Sequence, residues 1–299
     1  MHTVEIPENK DFGLRYVPEN LAECTDEQYM VLCGLLYRYQ SAQISYETLC
    51  VQAVHSFLDL LPSSKELLND EAENKWGNMY QLGELVESFF TTNEEGQKVI
   101  VMDFGHNPIK RFRPLWRWYY GPADYNFNLT FGEYVDALRV FSQFSVTPSI
   151  DLLRTLAAIL YRQKKPFCGL RRYLPGYDGD KRKKYNVHTV SFREKTFKYA
   201  PIGFLYGVYI AFGAFQKFIS TSVIPWGGRE LDLSILYKDD DNFAEAVPGR
   251  GMDSVLTSLA DAADIENARK LSLWDVLMRL YDLKKQDMDR KLNEKKNEK

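Results

Sequence analysis

The sequence lacks the short motifs that mark the commonest catalytic sites. Its 299 residues contain no Gly-x-x-x-x-Gly-Lys-Ser/Thr phosphate loop, no Gly-x-Gly-x-x-Gly turn, no Gly-x-Ser-x-Gly elbow and no protein-kinase signature. This absence argues against nucleotide-driven chemistry and against a serine nucleophile. A site built from residues that are far apart in sequence would leave no such motif, so a helical enzyme of that kind stays an alternative.

Cysteine and histidine are also scarce. The four cysteines form no Cys-x-x-Cys pair, and the four histidines show no spacing typical of metal ligands. We therefore expect unpaired thiols in a reducing compartment, no metal, no cofactor and no catalytic residue. Only His188, which follows a basic stretch, is a candidate acid or base, and the sequence shows no partner for it.

An excess of one charge and a long apolar run are missing as well. The 38 Lys and Arg against 41 Asp and Glu give a formal charge of -3, so any electrostatic recognition needs a local patch.

The first residues contain no apolar segment of the signal-peptide kind. Residues 201–215 are uncharged but fall short of the roughly 20 residues that cross a bilayer. We expect a buried helix there and no membrane partner. Gly203 and Gly207 lie on one face of it, where another backbone can approach closely.

Helical periodicity dominates what is present. Apolar residues recur at helical spacing over 26–40, 46–60, 150–160 and 201–219, and Thr130 with Glu133 forms a capping box that begins another helix. Short β-prone runs occur near residues 99–102 and 231–237. The sequence therefore predicts a mainly α protein, a multi-helix bundle with at most a small β-hairpin or edge strand.

The chain is expected to divide into three parts. Residues 1–106 form an N-terminal helical hairpin region with a polar linker. Residues 107–283 form the main helical bundle. Residues 284–299 are rich in Lys and Glu, and we expect this charged tail to fray.

Aromatic residues are in surplus, at 14% of the chain. Two segments stand out: an aromatic segment, residues 110–120, which interleaves rings with cations, and a basic segment, residues 162–184. Trp and Arg are enriched in the energetic centres of protein interfaces, and clustered cations suit an acidic partner. The candidate partner-binding residues are Arg113, Trp116, Arg117, Trp118, Tyr119, Tyr120, Arg171, Arg172, Lys181, Arg182, Lys183 and Lys184. The aromatic segment also suits a helical core, and both segments suit nucleic acid, because cations contact phosphates and rings stack on bases.

Several stretches together resemble one family. They are Arg-Pro-Leu-Trp-Arg-Trp-Tyr-Tyr-Gly-Pro at 113–122, Leu-Thr-Phe-Gly-Glu-Tyr at 129–134, Ala-Ile-Leu-Tyr-Arg at 158–162 and Tyr-Asp-Gly-Asp at 177–180. The sequence resembles a group of proteins encoded in the tail-morphogenesis regions of tailed bacteriophages and prophages. The similarity runs from about residue 21 to residue 237.

The resemblance implies a non-enzymatic role in tail assembly or as a minor structural protein, acting through protein–protein contacts. A chaperone for the tape-measure protein is one such role. The implied partners are other phage structural or assembly proteins, and the implied location is the cytoplasm of the bacterial host or the virion. The family supplies no catalytic residues. A nucleic-acid-binding accessory protein and a helical enzyme are the alternatives.

Overall fold

The computed structural model describes residues 1–5, 14–59, 81–94, 96–168, 173, 179–226, 228–236 and 265–297. This described part is mainly α-helical, as the sequence predicts, but it contains four small antiparallel sheets where the sequence predicts at most a β-hairpin or an edge strand. Packing of the helices as a bundle stays a prediction. The chain forms two compact units: unit one is Met1–Phe104 with Pro201–Ala211, and unit two is Gly105–Ala200 with Phe212–Lys299.

The α-helices begin where short polar side chains can cap them. Thr25 and Gln28 form a complete capping box, and Ser45, Thr130 and Ser149 each accept a hydrogen bond from a main-chain N–H of the first turn. The helices are α1 (Asp26–Gln40), α2 (Tyr46–Phe57), α3 (Phe131–Val146), α4 (Ile150–Leu160), α5 (Val190–Phe197), α6 (Ile202–Thr221), α7 (Ile265–Lys270) and α8 (Leu273–Asn297).

The strands are short and pair mostly with close neighbours in sequence. They are β1 (His2–Glu5), β2 (Leu14–Val17), β3 (Phe90–Thr92), β4 (Lys98–Ile100), β5 (Arg111–Phe112), β6 (Tyr119–Tyr120), β7 (Arg162–Gln163), β8 (Val223–Trp226) and β9 (Arg229–Asp232). β1 pairs with β2, β3 with β4 and β8 with β9, while β5, β6 and β7 form a three-stranded sheet. Strands β4 and β9 overlap the two β-prone runs, but Leu233–Leu236 of the second run forms a 3-10 turn.

Within unit one, the first half of helix α6 packs closely on α1. A Cβ atom at Gly203 would overlap the main-chain carbonyl of Met30, and Gly34 of α1 lies opposite it. The hydroxyl of Tyr29 donates a hydrogen bond of 2.8 Å to the carbonyl oxygen of Gly207. The small residues predicted to permit close backbone approach therefore do so.

Helix α6 is also apolar along its length. Among the described residues it alone is long and apolar enough to cross a membrane, and 67% of its most apolar window is buried inside the structure. The core helix predicted for this segment is therefore present, and it is largely buried.

The C-terminal segment differs from the expectation. Residues 284–299 are predicted to fray, but α8 continues to Asn297. Lys, Glu and Arg are good helix formers, and opposite charges four residues apart support a helix, as Arg290 and Glu294 do at 3.9 Å. The helix therefore covers residues that the sequence predicts to fray, and fraying of this segment stays a prediction. The sequence also predicts a short helix near residues 255–262, and that stretch lies outside the described residues.

Candidate partner-binding surface

A small sheet in unit two brings the two predicted segments together. Strand β6 lies between β5 and β7, with Tyr120 opposite both Arg111 and Arg162. An isolated bridge joins Lys164 to Arg182, and hydrogen bonds of 2.8 Å on each side of it extend the pairing. Residues 181–183 therefore run antiparallel to the chain that follows β7. The aromatic segment and the end of the basic segment occupy one sheet.

Aromatic rings and cations lie side by side at this sheet. The guanidinium carbons of Arg111 and Arg113 lie 4.8 Å and 5.4 Å from the ring centroid of Trp118. The ammonium groups of Lys181 and Lys164 lie 5.0 Å and 5.9 Å from the ring centroid of Tyr120. These are cation–π distances. We call the surface formed by the following residues the basic–aromatic surface: Arg111, Arg113, Trp116, Trp118, Tyr120, Lys164, Lys181 and Lys183.

The two tryptophans of this surface are accessible. Trp116 is 91% exposed and Trp118 is 42% exposed, although it also lies beneath two arginines. Exposed apolar side chains are common when single, but a contiguous group of them rimmed by polar residues is typical of a contact site. The surface therefore offers apolar area to a partner.

The cations of the basic–aromatic surface are not neutralised by the described residues. No carboxylate in that part of the chain pairs with Arg111, Arg113, Lys164 or Lys181. Lys183 donates a hydrogen bond of 2.9 Å to the side-chain oxygen of Gln163, which is uncharged. A group of unpaired cations produces a local positive potential, even though the chain as a whole is slightly acidic.

Other predicted partner-binding residues fall into two groups. Arg117 and Lys184 are exposed, in keeping with their expected place on the surface. Arg171 and Arg172 lie outside the described residues.

Tyr119 is a correction. Its side chain is only 2% exposed, and its ring lies 5.1 Å from the ring of Phe197 in α5. The hydroxyl accepts a hydrogen bond of 3.3 Å from the side-chain amide of Gln163. Successive residues of a strand point to opposite sides, so Tyr119 enters the core while Tyr120, which is half-buried, points to the other side. The prediction that Tyr119 contacts a partner is wrong.

Arg182 is the second correction, because its side chain is fully buried. Its guanidinium donates to the carboxylate of Glu133 at 3.3 Å and to the main-chain carbonyls of Leu160 and Asn128 at 2.9 Å each. Its neighbours Lys181 and Lys183 are exposed. The alternation of an extended segment explains this arrangement, and it excludes Arg182 from the partner-binding residues.

Beneath the surface lies a buried ion cluster made of Glu133, Arg162, Asp180 and Arg182. Arg162 pairs with Glu133 at 2.8 Å and with Asp180 at 3.3 Å, and Arg182 pairs with Asp180 at 3.1 Å. Three of the four side chains are at most 3% exposed, and Asp180 is 13% exposed. The charges therefore compensate one another in a medium that screens them weakly.

Burial and ion pairing shift the pKa values of the cluster in opposite directions. Loss of solvation raises the pKa of the Glu133 carboxyl, while the positive charges of Arg182 and Arg162 oppose that rise. Burial also lowers the pKa of the Arg162 guanidinium, and Glu133 counteracts it. The cluster holds residues 180–183 against the first turn of α3 and the end of α4, because Arg162 also donates to the carbonyl of Lys183 at 2.6 Å.

The sequence gives no direct sign of this cluster. The capping box predicted for Thr130 and Glu133 is half formed: Thr130 accepts from the Glu133 N–H, but the Glu133 carboxylate turns inward to the arginines. Its partners lie 29 and 49 residues away in sequence.

The remaining candidate chemistry is sparse. His188 lies exposed in a short 3-10 turn, Val187–Thr189, at the start of α5. Within the described ranges no group of three or more His, Cys, Asp or Glu side chains is placed to hold a metal ion. Comparison of the chain with models of protein families, with curated proteins and with solved structures finds no match.

Proposed function

We propose that this protein is a non-enzymatic assembly or minor structural component of a phage or prophage tail, and that it binds another protein through the basic–aromatic surface. One observation carries the proposal: Trp118 is exposed with two arginines over its ring that no described carboxylate neutralises, and Trp116, two residues earlier, is almost fully exposed. Exposed Trp beside Arg is the composition of interface centres. The tail setting rests on the resemblance of the segments at 113–122, 129–134 and 158–162.

The cation–π contacts within the basic–aromatic surface support a binding role. Arg111 and Arg113 rest on Trp118, and Lys164 and Lys181 rest on Tyr120, so these cations are held in place before any partner arrives. Long side chains lose conformational entropy when a complex immobilises them, and prior ordering reduces that cost. A surface built in this way binds without further rearrangement.

A tape-measure chaperone is the form of the proposal that the resemblance favours. Such a protein keeps a long helical partner soluble in the host cytoplasm until the tail tube assembles around it. The proposal also includes packing of the helices of unit two as a bundle, which would give the small sheet a firm support. The short link between α3 and α4 supports such packing, since it favours antiparallel neighbours.

Co-expression with the tape-measure protein of the same tail region tests the proposal. The double variant Trp116→Ala/Trp118→Ala is expected to lose the complex on size-exclusion chromatography and to leave the tape measure insoluble. Tyr16→Ala is the matched control, because Tyr16 is a half-exposed aromatic residue on β2 in unit one.

Two results would overturn the proposal. One is that no tail protein co-purifies with the wild-type chain. The other is that the double variant retains the complex as fully as Tyr16→Ala does. Composition of mature particles then separates the two forms of the proposal, since a chaperone is absent from them and a structural component is present.

A further inference from the structure

We propose that the partner segment bound by the basic–aromatic surface is an acidic polypeptide carrying an apolar side chain, and not a nucleic-acid strand. This inference rests on the proposed function and adds the chemistry of the partner. Three features of the surface lead to it: the sign of its charge, the occupation of its ring faces and the position of its most exposed ring.

The charge of the surface requires an anionic partner. Five cations belong to it: Arg111, Arg113, Lys164, Lys181 and Lys183. A partner with several carboxylates or phosphates gains from this potential, and a basic segment is repelled. Charge alone therefore leaves acidic protein and nucleic acid as occupants.

The ring faces distinguish these two. Proteins that bind single strands leave aromatic faces open, so that successive bases stack on them. Here two guanidinium groups already lie over Trp118 and two ammonium groups over Tyr120. A base could stack on either ring only by displacing these cations. Trp118 and Tyr120 therefore position cations for carboxylates, and Trp116 is left as one open ring, which by itself cannot stack successive bases. The surface thus favours an acidic polypeptide over a stacked strand.

The apolar part of the partner is set by Trp116. This ring is 91% exposed, and the preceding Leu115 is 43% exposed. Neither the ring nor Leu115 has a cation over it in the described part of the chain. An apolar side chain of the partner would remove both from water, and burial of this kind contributes most of the energy at interface centres.

The cations are also fixed from below. Lys181 and Lys183 flank Arg182, whose guanidinium is held by Glu133 and by the carbonyls of Leu160 and Asn128. The main chain is therefore anchored at the residue between the two lysines. An acidic segment meets cations whose positions are already set, and this favours specificity for a particular spacing of carboxylates.

Binding of defined probes to the purified full chain tests the inference. The first probe is a peptide of alternating Glu and Ser with one central Leu, and its controls replace Leu by Ser or every Glu by Gln. The second probe is a single-stranded oligothymidylate of equal charge. Fluorescence anisotropy at low salt measures the dissociation constant of each probe.

Two lysine variants give a matched pair. Lys181 and Lys285 are both exposed, and each ammonium lies over a tyrosine ring, but Lys285 is on α8. Lys181→Glu is expected to weaken the acidic peptide about tenfold or more, because it reverses a charge within the surface. Lys285→Glu is expected to change it less than about twofold. Both variants must retain the wild-type melting temperature.

The remaining comparisons complete the test. Replacing the central Leu by Ser, or Trp116 by Ala, is expected to weaken the acidic peptide at least about fivefold, and oligothymidylate is expected to bind more weakly than the peptide. The inference is overturned if oligothymidylate binds more tightly and Trp116→Ala abolishes its binding, or if the peptide is indifferent to Lys181→Glu. Should the tail partner bind through Trp116 and Trp118 while the acidic peptide does not, this inference fails and the proposed function stands. Should the peptide bind while no tail protein does, the proposed function fails.

Discussion

Arg182 and its neighbours Lys181 and Lys183 are alike in charge and adjacent in sequence, yet they belong to two opposite regions. Arg182 is buried in an ion cluster where Glu133 and Asp180 compensate it. Lys181 and Lys183 lie on a surface where no described carboxylate does so. The comparison teaches that a run of cations is not one functional unit. Because successive side chains of an extended segment point to opposite sides, the run divides into a buried structural residue and exposed residues available for binding.

Removing one buried charge is expected to have the largest effect. Glu133→Gln leaves Arg162 and Arg182 without their shared carboxylate, so the free energy of unfolding should fall by about 3–5 kcal/mol. Urea denaturation followed by circular dichroism measures it. Glu27→Gln is the matched control, because Glu27 also lies in the first turn of a helix but is exposed, and it should cost less than about 1 kcal/mol. Equal losses in the two variants would remove the distinction between the regions.

Asp180 should show a smaller effect of the same kind. Asp180→Asn keeps the shape of the side chain but removes a charge that pairs with both arginines, and we expect a loss of about 1–3 kcal/mol. Asp151→Asn removes the same charge from an exposed pair with Arg154 and should cost less than about 1 kcal/mol. The same urea titrations compare them. A loss at Asp180 no larger than at Asp151 contradicts a stabilising cluster.

On the exposed side, substitution should barely change stability. Trp118→Leu removes the ring beneath Arg111 and Arg113 and should lower the free energy of unfolding by about 0.5–1 kcal/mol. Trp116→Leu is the control, since its ring is almost fully exposed, and it should stay within about 0.5 kcal/mol of wild type. Thermal melts of both variants measure this, and a large loss in either would show that the surface is part of the core.

Salt should give the smallest change in stability. Raising the ionic strength from about 0.05 M to about 0.5 M should alter the destabilisation caused by Glu133→Gln by less than about 0.5 kcal/mol, because buried pairs are weakly screened. Over the same range, affinity for the acidic peptide should fall several-fold, because exposed charges are screened. Repeating the urea titrations and the anisotropy measurements at both salt levels checks the contrast, which a strong salt dependence of the cluster would contradict.

Much of the secondary structure is predictable from local signals. Ser45, Thr130 and Ser149 begin helices because a short polar side chain satisfies an N–H that the first turn leaves open, and the sequence shows each of them. The small-residue face at Gly203 likewise predicts close packing. The end of α8 is missed, since a charged tail and a charged helix have similar compositions.

The site is predictable only in its composition. The exposed Trp116 and Trp118 and the flanking lysines come directly from the aromatic and basic character of the two segments. Tyr119 and Arg182 are assigned to the wrong side, because their direction depends on pairing with Gln163 and Lys164. That pairing joins residues separated by two helices for Tyr119 and by a stretch partly outside the described residues for Arg182. Local sequence patterns carry no information on it.

The anchoring of Arg182 has a mechanical consequence. A partner that pulls on Lys181 or Lys183 pulls on a main chain that is tied down at the very next residue. The force passes through the Arg182 guanidinium directly to the start of α3 and the end of α4, because it is hydrogen-bonded to both. The surface is therefore expected to keep its shape under load while a bound partner is moved during assembly.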